Sequence, residues 1–228
     1  MTGGTDGSGG PVLAVDHLVY AAPSLDAGID TIRARLGVEA VPSGRHRRWR
    51  TRNALVGLGP TAYLEIIGPD DGPQGTGESG DGSGEDATTR PFGIDALASP
   101  CLATWAARAT PLETAVRAAR SVGFDPGPVM EGSRETSDGS VVRWRLTDPE
   151  AARDGGALPF LIDWGRSPHP AESLDHACRL GELRLRHPEP DRIRPFLDTL
   201  RPRVVLHPGP EPAISAHLDT PVGRVVLG

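Results

Sequence analysis

Residues 14–37, "AVDHLVYAAPSLDAGIDTIRARLG", carry the pattern that the rest of the chain repeats. The stretch "AVDHLVYAA" (14–22) is a short apolar run of strand type. Leu25, Ile29, Ile32 and Leu36 then recur at helical spacing. Ser24 is placed to cap that helix and Gly37 to stop it. Asp16 and His17 stand inside the apolar strand. Burying either costs free energy unless a hydrogen-bond partner or a metal compensates, so the remaining sequence must supply a partner or the position must be solvated.

Outward from this stretch, "RNALVGLG" (52–59) and "TAYLEIIG" (61–68) form two strands joined at Gly59-Pro60. The order then recurs. "CLATWAARA" (101–109) is a strand, and "TPLETAVRAARSVG" (110–123) is the clearest helix. Thr110 and Glu113 are spaced as a capping box, Pro111 suits the first helical position, and Gly123 ends the helix. In "RETSDGSVVRWRL" (134–146) Asp138-Gly139 marks a hairpin turn, and "LPFLIDWG" (158–165) is a strand closing on glycine, as "AYLEIIG" does. A third, compressed round follows. It has "GELRLRHPEP" (181–190), a helix near 191–200, and the short strands "RVVLHPG", "AISAHLDT" and "GRVVLG". Pro195 is compatible with that helix only near its first turn, which leaves the helix start open.

Strand, helix, then two or three strands joined by short and hence antiparallel connections is an α+β pattern of repeated units. The units expected are a flexible tail (1–13), a first βαβββ module (14–68), a disordered Gly- and Asp-rich insertion (69–91), a second module (92–170) and a third βαβββ-like unit packed on the others (171–228). The insertion has almost no large apolar side chain with which to offset its ordering entropy.

Composition narrows the function. The chain has 228 residues and a net charge of −6, so no global basic field draws it to nucleic acid or anionic lipid. All 24 basic residues are arginine, interspersed with acidic ones. Cys101 and Cys178 lie far apart without metal-type spacing, and with no apolar leader they point to a reducing cytoplasm. No apolar run approaches the ~20 residues that span a bilayer. The Gly-rich 70–90 stretch lacks the GK[ST] ending of a phosphate-binding loop. The expected partner is therefore a small molecule, with no nucleic acid and no membrane.

The segments "VDHLVYAAPSLDAGIDTIRARLGV", "GRHRRWRTRNALVGLGPTAYLEIIGP" and "LPFLIDWGRSPHPAESL" resemble the glyoxalase-like family of the vicinal-oxygen-chelate superfamily. The resemblance covers nearly all of 14–228 apart from the insertion. It implies paired βαβββ modules with curved sheets around a cavity. Many relatives hold one divalent metal there, on the first and last strands of the modules, and a homodimer is compatible with it. The family includes isomerases, extradiol dioxygenases, epimerases, thiol transferases and metal-free drug-binding proteins, so fold alone does not set function.

By that resemblance His17 and Glu65 occupy positions that commonly ligate metal, and imidazole with carboxylate suits several divalent ions. The second module offers Thr104 or Trp105 in place of the histidine. If the terminal glycines align, it offers Ile162 in place of Glu65, with Asp163 one residue away on the other face. Glu182, at the start of the third unit, is a remote substitute. The alternative is that His17 and Glu65 are hydrogen-bonded cavity groups, paired with each other or with a ligand. Glu65, if not a ligand, could shuttle a proton. In "RHRRWRTRN" (45–53), Arg45, Arg47 and Arg48 suit a solvated loop. Within the same run Arg52 could hold a carboxylate, Asn53 could orient a carbonyl, and His46 could titrate near neutral pH. Trp105, Trp144 and Trp164 suit core or cavity walls. His169, in "SPHP", suits a surface turn. Two functions fit these residues: a lyase or isomerase acting on a small oxygenated substrate, metal-assisted if metal is bound, or a metal-free protein that sequesters a small molecule.

Overall fold

The computed structural model describes residues 13–72, 89–135, 141–151 and 154–228. The opening stretch folds as its residues dictate. β1 (Ala14–Ala21) leads into α1 (Leu25–Leu36), where the Ser24 hydroxyl accepts from the Ala27 N–H at 3.1 Å and Gly37 closes the helix in the left-handed region (φ 69°). Leu25, Ile32 and Leu36 are buried against the sheet.

The first module is completed by β2 (Val41–His46), β3 (Thr51–Gly57) and β4 (Tyr63–Pro69), with β4 returning parallel to β1. The second repeats this arrangement with β5 (Cys101–Arg108), α2 (Leu112–Ser121), β6 (Val129–Glu135), β7 (Val141–Thr147) and β8 (Phe160–Asp163), and β8 runs parallel to β5. Antiparallel pairing of β1 with β5 joins the modules into one eight-stranded sheet, ordered β2-β3-β4-β1-β5-β8-β7-β6. The sheet curls until its two ends nearly meet, and Arg48, just beyond β2, reaches to 3.7 Å from the Met130 sulfur of β6. Strand alternation gives the sheet two apolar faces. Leu18, Tyr20, Leu64, Ile66, Trp105 and Leu161 pack toward the helices, and Val19, Tyr63, Ile67, Ala106, Phe160 and Ile162 belong to the concave face.

The ends of the first and last strands show which residues correspond in the two modules. The Ala22 N–H donates to the Ile67 carbonyl as the Ala109 N–H donates to the Ile162 carbonyl, each at 2.9 Å, and α1 and α2 begin three residues later, at Leu25 and Leu112. Thr104, one of the two residues expected there, therefore holds the place of His17. Phe160 and not Ile162 holds the place of Glu65, because alignment on the closing glycines shifts the second strand by two residues.

The third unit keeps the expected element order but pairs differently. It comprises β9 (Arg179–His187), α3 (Pro190–Leu200), β10 (Val205–Pro208), β11 (Ala213–Thr220) and β12 (Gly223–Leu227), in a sheet ordered β10-β9-β11-β12. Here the first strand lies beside the second and third, whereas in the modules it lies beside the last. This unit joins the helix-side core through Leu183, Leu185, Phe196 and Ile214, with Phe196 edge-on to Phe124. It leaves the concave face uncovered.

Three local expectations change. The Thr110–Glu113 capping box does not form, because Pro111 is the N-cap of α2 and the Thr110 hydroxyl donates to Asp163 Oδ1 at 3.1 Å. Pro195 lies past the first turn of α3, which begins at Pro190. The matched glycines have unlike causes. A Cβ on Gly68 would sit 2.5 Å from the Leu25 backbone nitrogen, whereas Gly165 meets nothing within 4 Å and is needed for its left-handed φ of 57°. The expected tail, most of the 69–91 insertion and the Asp138-Gly139 turn lie outside the described residues.

Because β4 touches backbone at Gly68, Gly68→Ala should destabilise the protein by about 1–3 kcal/mol through overpacking. Gly165→Ala should cost about 1–2 kcal/mol through its left-handed conformation alone. Urea denaturation midpoints of the two variants check this, and only Gly165→Asn should recover stability, because asparagine tolerates that conformation.

Candidate active site

In the β1–β5 ladder Val15 faces Ala107 and His17 faces Ala106, so Asp16 is an extra residue with no partner of its own. A bulge of this kind breaks the two-residue alternation of a strand. The adjacent side chains of Asp16 and His17 thereby meet, with His17 Nδ1 2.8 Å from Asp16 Oδ1. Asp16 is fully buried and receives three further donors: Arg108 Nε at 2.8 Å, His169 Nε2 at 3.1 Å and Trp164 Nε1 at 3.1 Å. Burial works against its ionisation. The hydrogen bonds and charges of His169 and His17 more than offset burial and hold the carboxyl well below the usual carboxylate range.

An ionised carboxylate only accepts hydrogen bonds, so His17 carries a proton on Nδ1 and turns Nε2 toward the concave face. That nitrogen lies 3.7 Å from Glu65 Oε2. The imidazole stacks on Tyr63 with ring centroids 4.7 Å apart and meets Phe160 edge-on. Glu65 is fixed from its other oxygen, where Asn53 Nδ2 donates at 2.6 Å. Asn53 and Glu65 are diagonal neighbours on one face of the β3–β4 ladder, which is why two short side chains can reach each other. Asn53 Oδ1 is buried and has no hydrogen-bond partner among the described residues.

These groups line an open-mouthed pocket of about 570 Å³, the open space of its mouth included. Trp144, Trp164, Phe92 and Phe160 supply much of its wall, and Arg134 of β6 reaches it from the far side. The Nε of Arg134 is buried without a hydrogen-bond partner among the described residues. Burial, reinforced by Arg134 and His17, pushes the His46 imidazole below its ordinary value despite the opposing charge of Glu65. His46 is thus a neutral group at pH 7, with Nδ1 3.2 Å from Thr51 Oγ1, rather than one titrating there. Burial, then the charges of Asp16 and Glu65, push the Tyr63 phenol well up, so it stays an O–H donor.

Of the residues singled out from the sequence, the structure brings together His17, Glu65, Asn53, His46 and Trp164. It separates two. Trp105 is wholly buried on the helix side of the sheet, where Nε1 donates to the Ala157 carbonyl. Arg52 is 41% exposed, directed at the Pro69 carbonyl and Asp26, outside the pocket. His169 is buried rather than a surface turn. Its Nδ1 accepts from the Ala171 N–H, which leaves the Nε2 proton for Asp16. Asp163 caps the end of β8 by accepting from the Gly165 N–H. Asp16, Arg108, Tyr63 and Arg134 were missed. The Asp-His pair inside an apolar strand was the one available signal, and strict alternation would have sent the two side chains to opposite faces.

The metal implied by the resemblance needs donors from both modules. The positions equivalent to His17 and Glu65 are Thr104 and Phe160, neither a histidine nor a carboxylate, and Glu182 lies on β9 paired with Arg184. Among the described residues no group of three His, Cys, Asp or Glu side chains is arranged to hold a metal ion. Two protein donors fall short of the three or four that hold a resident zinc. The residues do not fit the four-ligand centre.

The glyoxalase-like domain family model matches residues 15–201, and the chain belongs to that family. No curated protein matches the chain. Among solved structures, a hypothetical protein from Staphylococcus aureus is 13% identical with a TM-score of 0.62, over 88% of each chain. Methylmalonyl-CoA epimerase from Mycobacterium tuberculosis is 24% identical with a TM-score of 0.40, over 65% of this chain and 86% of its own. A Streptomyces coelicolor methylmalonyl-CoA epimerase in complex with 2-nitronate-propionyl-CoA is 19% identical with a TM-score of 0.42, over 68% and 97%. The first of these likenesses concerns the fold. No described helix is long and apolar enough to cross a membrane.

The lowered pKa of Asp16 has a definite sign. A carboxyl with a folded value below its unfolded value of about 3.9 contributes stability above that pH and loses it as pH falls. Asp16→Asn should cost about 3–5 kcal/mol at pH 7, because Arg108 and its neighbours lose their charge partner in the interior. The gap between wild type and variant in urea denaturation should narrow steadily below about pH 4. A gap independent of pH would show that Asp16 does not carry its charge in the fold.

Proposed function

We propose that the pocket is the active site of a proton-transfer enzyme, of isomerase or lyase type, acting on a small oxygenated substrate without a resident metal. The single observation that carries this reading is the buried Asp16–His17 pair, which directs Nε2 into an apolar pocket beside Glu65. A histidine held in one tautomer by a buried carboxylate is a base that can accept a proton at Nε2.

The step follows from these groups. His17 Nε2 takes a proton from a carbon next to a substrate carbonyl. The C–H electron pair moves into the carbonyl, and the resulting oxyanion is met by an O–H donor, for which Tyr63 is available. Asp16 stabilises the imidazolium that forms. Return of the proton to another atom gives an isomer, and departure of a neighbouring leaving group gives a lyase product. Glu65, held by Asn53, is the second group able to exchange a proton with the substrate. No metal takes part in these steps, because Thr104 and Phe160, neither a histidine nor a carboxylate, occupy half of the positions that would bind one. The same lack of donors, with the aromatic walls, also suits a protein that only sequesters its ligand.

The test is deuterium exchange. Small ketones and oxo acids incubated with the protein in D2O should lose C–H signals by NMR, and His17→Gln should slow this by about 10²–10⁴-fold. Prior dialysis against a chelator should leave the rate unchanged, and elemental analysis should find less than one metal per chain. Binding without exchange would establish the sequestering protein instead. Stoichiometric metal lost in His17→Ala would overturn the metal-free reading.

A further inference from the structure

We infer that the ligand of this pocket is a carboxylic acid with an apolar body, and that Arg134 binds its carboxylate. The inference rests on the reading of the pocket as a small-molecule site and adds the chemical class of what enters it. Arg134 lines the pocket from β6, near the seam where β6 approaches β2, and its charge acts on both His46 and Tyr63. Its Nε is buried and without a hydrogen-bond partner among the described residues. A buried guanidinium N–H lacking an acceptor is a group prepared for an anion, and the planar fork of arginine matches a carboxylate.

The other charged groups of the pocket do not compete for this role. Glu65 accepts from Asn53, and Asp16 is enclosed by Arg108, His169, His17 and Trp164. Asn53 Oδ1 is a second unpartnered atom, an acceptor beside Glu65, which calls for an O–H or N–H donor on the ligand. Trp144, Trp164, Phe92 and Phe160 line the pocket as well, a surface for an apolar or planar body rather than a sugar or phosphate. An acid with a carbonyl or hydroxyl along its length meets each of these features: carboxylate on Arg134, body along the aromatics, oxygen function toward Asn53 and His17.

The experiment compares acids with their uncharged esters. Phenylpyruvate and 3-benzoylpropanoate, each beside its methyl ester, are titrated against the full chain by tryptophan fluorescence and calorimetry. The acids should bind at least about tenfold more tightly than the esters. Arg134→Gln should erase that preference while leaving ester binding and the thermal midpoint in place, and Arg134→Lys should retain part of it. Equal binding of acid and ester, a preference that survives Arg134→Gln, or no binding of either acid at about millimolar concentration would overturn the inference. The proton-transfer reading fails separately. An acid bound through Arg134 but not exchanged in D2O sinks that reading and leaves the carboxylate site standing. Exchange of ester and acid alike, dependent on His17 and indifferent to Arg134, does the reverse.

Discussion

A single buried carboxylate organises the molecule's concave side. Asp16 sits in the β-bulge between the two modules and gathers donors from four separate places: its neighbour His17, Arg108 on β5, Trp164 just past β8 and His169 in the following turn. An isolated carboxylate could not remain charged in that interior, since desolvation would protonate it. With its donors in place it is a charged centre that fixes the seam between modules and the tautomer of the histidine facing the pocket. Stability and chemistry therefore depend on the same residue.

The near-symmetry of the two modules makes their differences informative. The equivalent bonds from Ala22 to Ile67 and from Ala109 to Ile162 set Thr104 at the place of His17 and Phe160 at the place of Glu65. One half of the cavity thus presents an imidazole and a carboxylate, and the other has neither at the matching positions. Two identical halves would build a symmetric polar centre. Here the polar groups collect on β1, β3 and β4, the aromatics come from both modules, and Arg134 reaches in from the opposite end of the curled sheet. The result is a pocket with a reactive side and an anion-binding side, an asymmetry that suits an elongated ligand entering in one orientation.

The third unit shows that element order does not determine topology. It repeats strand, helix and three strands, yet β9 pairs with β10 and β11 rather than with a returning last strand. Its apolar residues Leu183, Leu185, Phe196 and Ile214 face the helices of the modules. It buries the outer layer and contributes nothing to the pocket.

Sequence by itself determined the elements and the faces. Ser24, Gly37 and the spacing of Leu25, Ile32 and Leu36 define α1, because capping and periodicity are local properties. The runs "AYLEIIG" and "PFLIDWG" marked the last strands of both modules, although aligning them on their closing glycines put Ile162 rather than Phe160 at the place of Glu65, and period-two alternation set His17 and Glu65 each in an apolar stripe. Tertiary structure alone decided the rest. A bulge moves one residue out of register, and nothing in the local sequence around Asp16 marks it, so the partnership of Asp16 with His17 was hidden by the very alternation that located His17. Trp105 and Trp164 looked equivalent in composition, but the faces on which they fall are set by the pairing of distant strands. Arg134 and His169 are far from His17 along the chain, and only the curl of the sheet and the turn after β8 bring them to it. Local propensity travels a few residues; the convergence of donors from four segments on Asp16 is a property of the closed sheet.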